Sequence, residues 1–134
     1  MILFTSRYGR FRPGQGAPVR TTVGGVRHAL PYEIAGHAQL ITPTWAMVNL
    51  GDEEVYRQQY VAMLDGRGLD AIEEELKDIA YQAGDDRLIL LCFCDLSKAD
   101  GWCHRRMFAA WWERETRGEE EVPELAEQRH PGLF

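Results

Sequence analysis

Arg87-Leu88-Ile89-Leu90-Leu91-Cys92-Phe93-Cys94-Asp95, followed after a short polar loop by Gly101-Trp102-Cys103-His104-Arg105-Arg106, is the stretch whose reading decides the fold. From Leu88 to Cys94 every position is apolar, without the alternation of a strand that wets one face. A run of strand length with that pattern is covered on both faces, as in a parallel sheet. The loop after it feeds a helix whose core face is Met107, Phe108, Trp111 and Trp112, ending near Gly118. All three cysteines of the chain fall within this stretch, with His104, Arg105 and Arg106 beside the last of them.

Working back from the buried run, Asp85-Asp86 make a turn. Before it, Leu69, Ile72, Leu76, Ile79, Ala80 and Ala83 form a helical stripe stopped by Gly84. An earlier helix starts at Asp52, an N-cap followed by Glu53 and Glu54 where the dipole favours acids, and carries Tyr56, Tyr60, Met63 and Leu64 on one face. Gly66 is expected to end it. Residues 1–6 read as a strand through Ile2, Leu3 and Phe4, with Ser6-Arg7 at its end. The segment Arg7 to Gly16 is a Gly- and Pro-containing loop. Pro18 to Val23 reads as a second strand, and Thr44-Trp45-Ala46-Met47-Val48 after Pro43 as one helical turn.

Strands in the first half and helix, buried strand, helix in the second predict an α/β fold. The expectation is three layers: a mainly parallel sheet with helices on both faces, in a single compact domain. Residues 1–50 form a basic strand and loop half, 51–118 a helix-strand-helix half and 119–134 an acidic tail.

A net charge of −6 excludes a protein that coats nucleic acid over its whole surface. The charge is uneven, however. Residues 1–50 carry Arg7, Arg10, Arg12, Arg20 and Arg27 against one acid, Glu33. That asymmetry points to an anionic partner met by the front of the chain. No apolar run approaches the roughly 20 residues that span a membrane. Met1 to Arg7 lacks the pattern of a signal peptide, and three cysteines are an odd number, so reduced thiols in the cytoplasm are expected.

In parallel sheets ligands sit beyond the carboxyl ends of the strands. Ser6-Arg7 and Cys94-Asp95 are both at such ends, and face the Cys103 helix start across one crevice if their strands are parallel neighbours. Three readings of that crevice follow. In the first it holds a nucleotide, a nucleic-acid segment or a small anion. Backbone N–H groups at the helix N-terminus and Arg105 bind phosphate, together with Ser6, Arg7, Arg20, Arg27 and Arg10. Arg105 and Arg106 oppose the helix dipole unless an anion, or one of Asp95, Asp100 and Glu113, offsets them.

In the second reading Cys103 is a thiolate nucleophile with His104 as its base. Successive helical residues point about 100° apart, which weighs against that particular pair. In the third, Cys92, Cys94, Cys103 and His104 form a zinc set, with Cys92 and Cys94 on one face of the strand. The spacing lacks the usual Cys-x2-Cys knuckle. Its plain alternative makes Cys92 a small buried apolar residue.

Three blocks carry a family resemblance: Phe4-Thr5-Ser6-Arg7-Tyr8-Gly9; Thr42-Pro43-Thr44-Trp45 with Tyr56 and Tyr60 after it; and Leu90-Leu91-Cys92-Phe93 with Cys103-His104-Arg105-Arg106. Over about residues 2–125 the chain resembles the bacterial and phage domain-of-unknown-function family 488, which includes the YeaO-like proteins. The resemblance implies a small cytosolic α/β domain without an established reaction. It implies site positions at Ser6, Arg7, Cys92, Cys103, His104 and Arg105. Members often carry an acid where this chain has Cys94, so a role for that acid falls here to Asp95 or is lost. The first reading is preferred. The alternative is a non-enzymatic protein-interaction module stabilised by the Cys3His zinc site.

Overall fold

The computed structural model describes residues 1–25, 29–94 and 101–125. Strand β1 (Ile2–Arg7) is followed by β2 (Ala17–Arg20), β3 (Gly36–His37), a short 3-10 turn (Gln39–Ile41), α1 (Trp45–Val48), α2 (Glu53–Arg67), α3 (Leu69–Ala83), β4 (Arg87–Cys92) and α4 (His104–Glu115). The sheet order is β1-β4-β2-β3 and every pairing is parallel. This is the expected α/β fold on a parallel sheet. β4 is an interior strand, which is why Leu88 to Cys92 are all buried.

The register places the strand ends together. Ser6 pairs with Leu91 and Arg7 with Cys92, while Arg20 pairs with Leu91 on one side and His37 on the other. The carboxyl ends of all four strands therefore lie along one edge.

The two faces are covered differently. Leu3, Val19, Leu88 and Leu90 pack on one core with Tyr60, Leu64, Ile72, Leu76, Phe108 and Trp112 from α2, α3 and α4. Ile89 and Leu91 face the other way, onto Tyr8 and Phe11, with Phe4, Leu30, Tyr32, Ile34 and Leu125 around them. The expectation of helices on both faces thus needs correction: among the described residues, loops cover the second face. The connections there hold Pro13, Gly14, Gly16, Gly24, Gly25 and Pro31, which do not sustain a helix.

Three element ends also move. α2 passes through Gly66 and stops at Gly68, whose φ of 85° breaks the helix. β2 stops at Arg20 rather than Val23, because the Arg20 side chain folds forward onto the carbonyls of Thr22 and Val23. β4 stops at Cys92, so Phe93 and Cys94 lie beyond the strand.

Part of the acidic tail is placed. Thr5 N–H donates to Pro123 O at 3.0 Å and Leu125 N–H to Thr5 O at 2.7 Å, so residues 123–125 run along the free edge of β1. Pairing there protects an exposed strand edge. Of the segment 27–30 only residues 29 and 30 are described, and the tail is described only to residue 125.

Candidate functional site

The helix that follows β4, α4, packs on the helix side of the sheet, whereas from β1 the chain turns to the loop face through Tyr8 and Phe11. A crevice opens where neighbouring parallel strands send their connections to opposite faces. Cys92 ends β4 inside that crevice and Cys103 caps α4 above it, both fully buried. Cys94 is half-buried. The three sulfurs lie within 4.8 Å of one another.

The Cys92 and Cys103 sulfurs are in contact, yet their Cα atoms are 7.8 Å apart. That exceeds the roughly 7 Å a disulfide spans without backbone movement. Two sulfurs on one tetrahedral zinc stand about 3.8 Å apart, given Zn–S bonds of about 2.3 Å. The trio is therefore close enough to hold a metal ion.

The surroundings of Cys92 suit a thiolate. Its sulfur receives Arg105 Nη1 at 2.8 Å and the Cys94 backbone N–H at 3.4 Å. Donors aimed at a sulfur favour its charged form and orient it as a ligand. Burial raises the Cys94 thiol above its ordinary value, against the opposing pull of Arg105 and a backbone hydrogen bond.

His104 is held in one tautomer. Its Nε2 lies 2.8 Å from Thr21 O and 3.0 Å from Thr21 Oγ1. A carbonyl only accepts, so Nε2 carries the proton. Thr21 Oγ1 gives its own proton to Leu91 O at 2.7 Å. Burial lowers the His104 pKa to about 4, against the raising effect of the Thr21 backbone bond. The neutral ring then presents a bare Nδ1, which lies 3.6 Å from Cys103 Sγ. The objection that neighbours on a helix diverge does not apply: Cys103 is the N-cap, with extended φ −156° and ψ 149°. Among the described residues His104 does not join the sulfur trio, so the expected zinc set contracts to Cys92, Cys94 and Cys103.

Arg105 is not available to an incoming anion. Its Nε donates to Glu124 Oε1 at 3.0 Å and its Nη2 to Glu124 Oε2 at 2.7 Å; Nη1 also donates to Cys94 O at 2.9 Å. Its side chain is 1% exposed against 34% for Glu124. Arg106 donates through Nη1 to Thr5 Oγ1 and Val122 O, each at 2.8 Å. The expected phosphate role of Arg105 is thus replaced by a bidentate internal ion pair. Neither Asp95 nor Asp100, named as possible partners of these arginines, lies among the described residues; nor do Arg27 and His28. Glu113 accepts the Val122 N–H instead.

No protein-family model, curated protein or solved structure matches the chain. Ser6 is buried on β1, beside Arg7 at the strand end. A cavity of about 300 Å³ reaches Cys103 between α2 and α4, lined also by Trp102, Arg57, Arg106 and Glu53. The edge of Trp102 packs on Tyr56, with ring centres 4.9 Å apart.

Thr21 and Glu124 went unrecognised in the sequence. Thr21 carries no motif, and Glu124 is one acid among 21. The membrane question has a narrow answer: no helix among the described residues is long and apolar enough to cross a bilayer.

Proposed function

We propose that the protein binds a zinc-class ion through Cys92, Cys94 and Cys103, with one coordination position left for an exogenous, electron-rich ligand. The observation that carries this reading is the sulfur trio at the carboxyl edge of the sheet. Soft thiolate ligands select zinc and its neighbours over magnesium or calcium. Three protein ligands with an open fourth position are the pattern of catalytic rather than structural zinc. Arg106 lines the cavity beside Cys103, where Arg57 is already paired with Glu53 and Glu54 at 2.7 and 3.1 Å. The nucleotide or nucleic-acid reading no longer draws on Arg105, and the interaction-module reading would need a fourth protein ligand.

A second reading is favoured by the contact between Cys103 Sγ and His104 Nδ1. In the metal-free protein Nδ1 is placed to take the Cys103 proton, and the Thr21 carbonyl holds the ring in position, so Cys103 is the candidate nucleophile.

Metal analysis of protein purified and reconstituted under reducing conditions tests the first reading. One zinc per chain that survives dialysis is expected. It should be lost in Cys94→Ser and retained in His104→Gln. Absence of stoichiometric metal, together with a Cys92–Cys103 disulfide found by peptide mapping, would overturn it. Alkylation of the metal-free protein tests the second: Cys103 should react first, and more slowly in His104→Gln.

A further inference from the structure

A separate cavity lies on the face of the sheet that, among the described residues, loops cover. It occupies about 410 Å³ at the carboxyl ends of β2 and β3, and its lining includes Tyr8, Arg20, Leu30, Tyr32, Ile34 and His37. That volume falls in the range of small-molecule sites, and the carboxyl edge of a parallel sheet is where such sites form.

The lining has a definite chemistry. Arg20 Nε and Nη2 donate to the carbonyls of Thr22 and Val23 at 2.8 and 2.7 Å. These bonds orient the guanidinium but do not neutralise it, and no carboxylate among the described residues forms an ion pair with it. Nη1 remains as a donor for an anion. His37 is the register partner of Arg20. Thr42 Oγ1 gives its proton to Ala38 O at 2.7 Å, so it accepts from His37 Nε2 at 3.1 Å. Neutral His37 therefore offers Nδ1 as an acceptor.

Both tyrosine hydroxyls are engaged internally. Tyr8 bonds to Thr22 Oγ1 at 2.8 Å and Tyr32 donates to Tyr8 O at 2.6 Å. The two rings, with Leu30 and Ile34, thus contribute apolar and aromatic surface. A matching ligand has a flat ring for that surface, an anionic group for Arg20 and a hydroxyl or amino donor for His37.

We propose that this cavity binds a ligand of nucleoside monophosphate chemistry, its ring against Tyr8, Tyr32, Leu30 and Ile34 and its phosphate on Arg20. The proposal does not depend on the thiolate centre, which involves none of the residues lining this cavity.

Isothermal titration of the full chain with the four common ribonucleoside monophosphates, their nucleosides and inorganic phosphate tests it, with parallel runs on zinc-loaded and chelated protein. At least one monophosphate should bind with Kd below about 1 mM, and its nucleoside about tenfold or more weaker, the scale set by losing a charged hydrogen bond. Arg20→Gln should bring the monophosphate down to the level of the nucleoside. Leu30→Trp, a substitution at a partly exposed position that fills the cavity and leaves every charge in place, should abolish binding while circular dichroism stays native. Chelation should change none of these values, so the result is separable from the fate of the metal reading. Failure of every monophosphate to bind, equal binding by inorganic phosphate, or binding undiminished in Leu30→Trp would each overturn the proposal.

Discussion

Acidifying the reduced, metal-free protein should cost it stability through His104, by an amount the structure sets. The imidazole is buried against the edge of Tyr60, with ring centres 5.7 Å apart, and burial lowers its pKa from 6.5 to about 4. The unfolded chain therefore binds this proton more readily than the native one. The neutral ring's contribution is complete above pH 6.5 and is lost as the pH falls toward 4. A gap of about 2.5 pH units, at about 1.4 kcal/mol each, amounts to about 3.5 kcal/mol, of which about 2 kcal/mol is gone by about pH 5.

The assay is urea unfolding across a pH series, comparing the native protein with His104→Gln. The glutamine amide still reaches the Thr21 carbonyl but has no charge to gain. Carboxylate effects are common to both proteins and cancel in the difference. The variant's stability should therefore fall about 2 kcal/mol less than the native protein's between about pH 7 and pH 5. Parallel curves, or a His104 ring resonance titrating near its ordinary value, would refute both the burial and the tautomer assigned to the ring.

Two substitutions test other parts of the framework. Glu124→Gln leaves the buried Arg105 guanidinium without its counter-charge. It should cost about 2–3 kcal/mol in urea unfolding, below the range for a fully buried pair because Glu124 keeps a third of its exposure; an unchanged midpoint would show that residues 123–125 do not hold the edge of β1. Gly16→Ala places a Cβ 2.8 Å from Arg87 O at a φ of 151°. A loss of about 2–3 kcal/mol is expected, whereas Gly9→Ala, with nothing within 4 Å of its Cβ, should have little effect.

Several elements were legible because their burial repeats locally. The stripe from Leu69 to Ala83 matches the span of α3, with Ile72, Leu76, Ile79 and Ala80 buried, and the N-cap at Asp52 holds, its carboxylate accepting from Val55 N–H at 2.9 Å. The unbroken apolar run identified β4 as an interior strand and placed the sulfur-bearing loop at its carboxyl end. The Gly66 stop failed because helix termination depends on which backbone takes positive φ, and that was Gly68. Helices on both faces failed because a buried strand shows that both its sides are covered, not by what. Thr21 and Glu124 had no counterpart in local pattern; the Cys103–His104 pair did, but helix geometry weighed against it, because the sequence does not show that Cys103 is the extended N-cap.

Taken alone, the amino-acid order determined the parallel α/β frame, the extent of α3 and the clustering of reactive side chains around one loop. Each follows from periodicities that an element writes into its own residues. The tertiary structure decided that Arg105 belongs to Glu124, that His104 is pinned by Thr21, and that three sulfurs converge while the imidazole stays outside their group. Those are pairings between segments brought together by sheet order and loop path. Side chains with the same hydrogen-bonding chemistry occur all along the chain, so only the packed geometry selects among them.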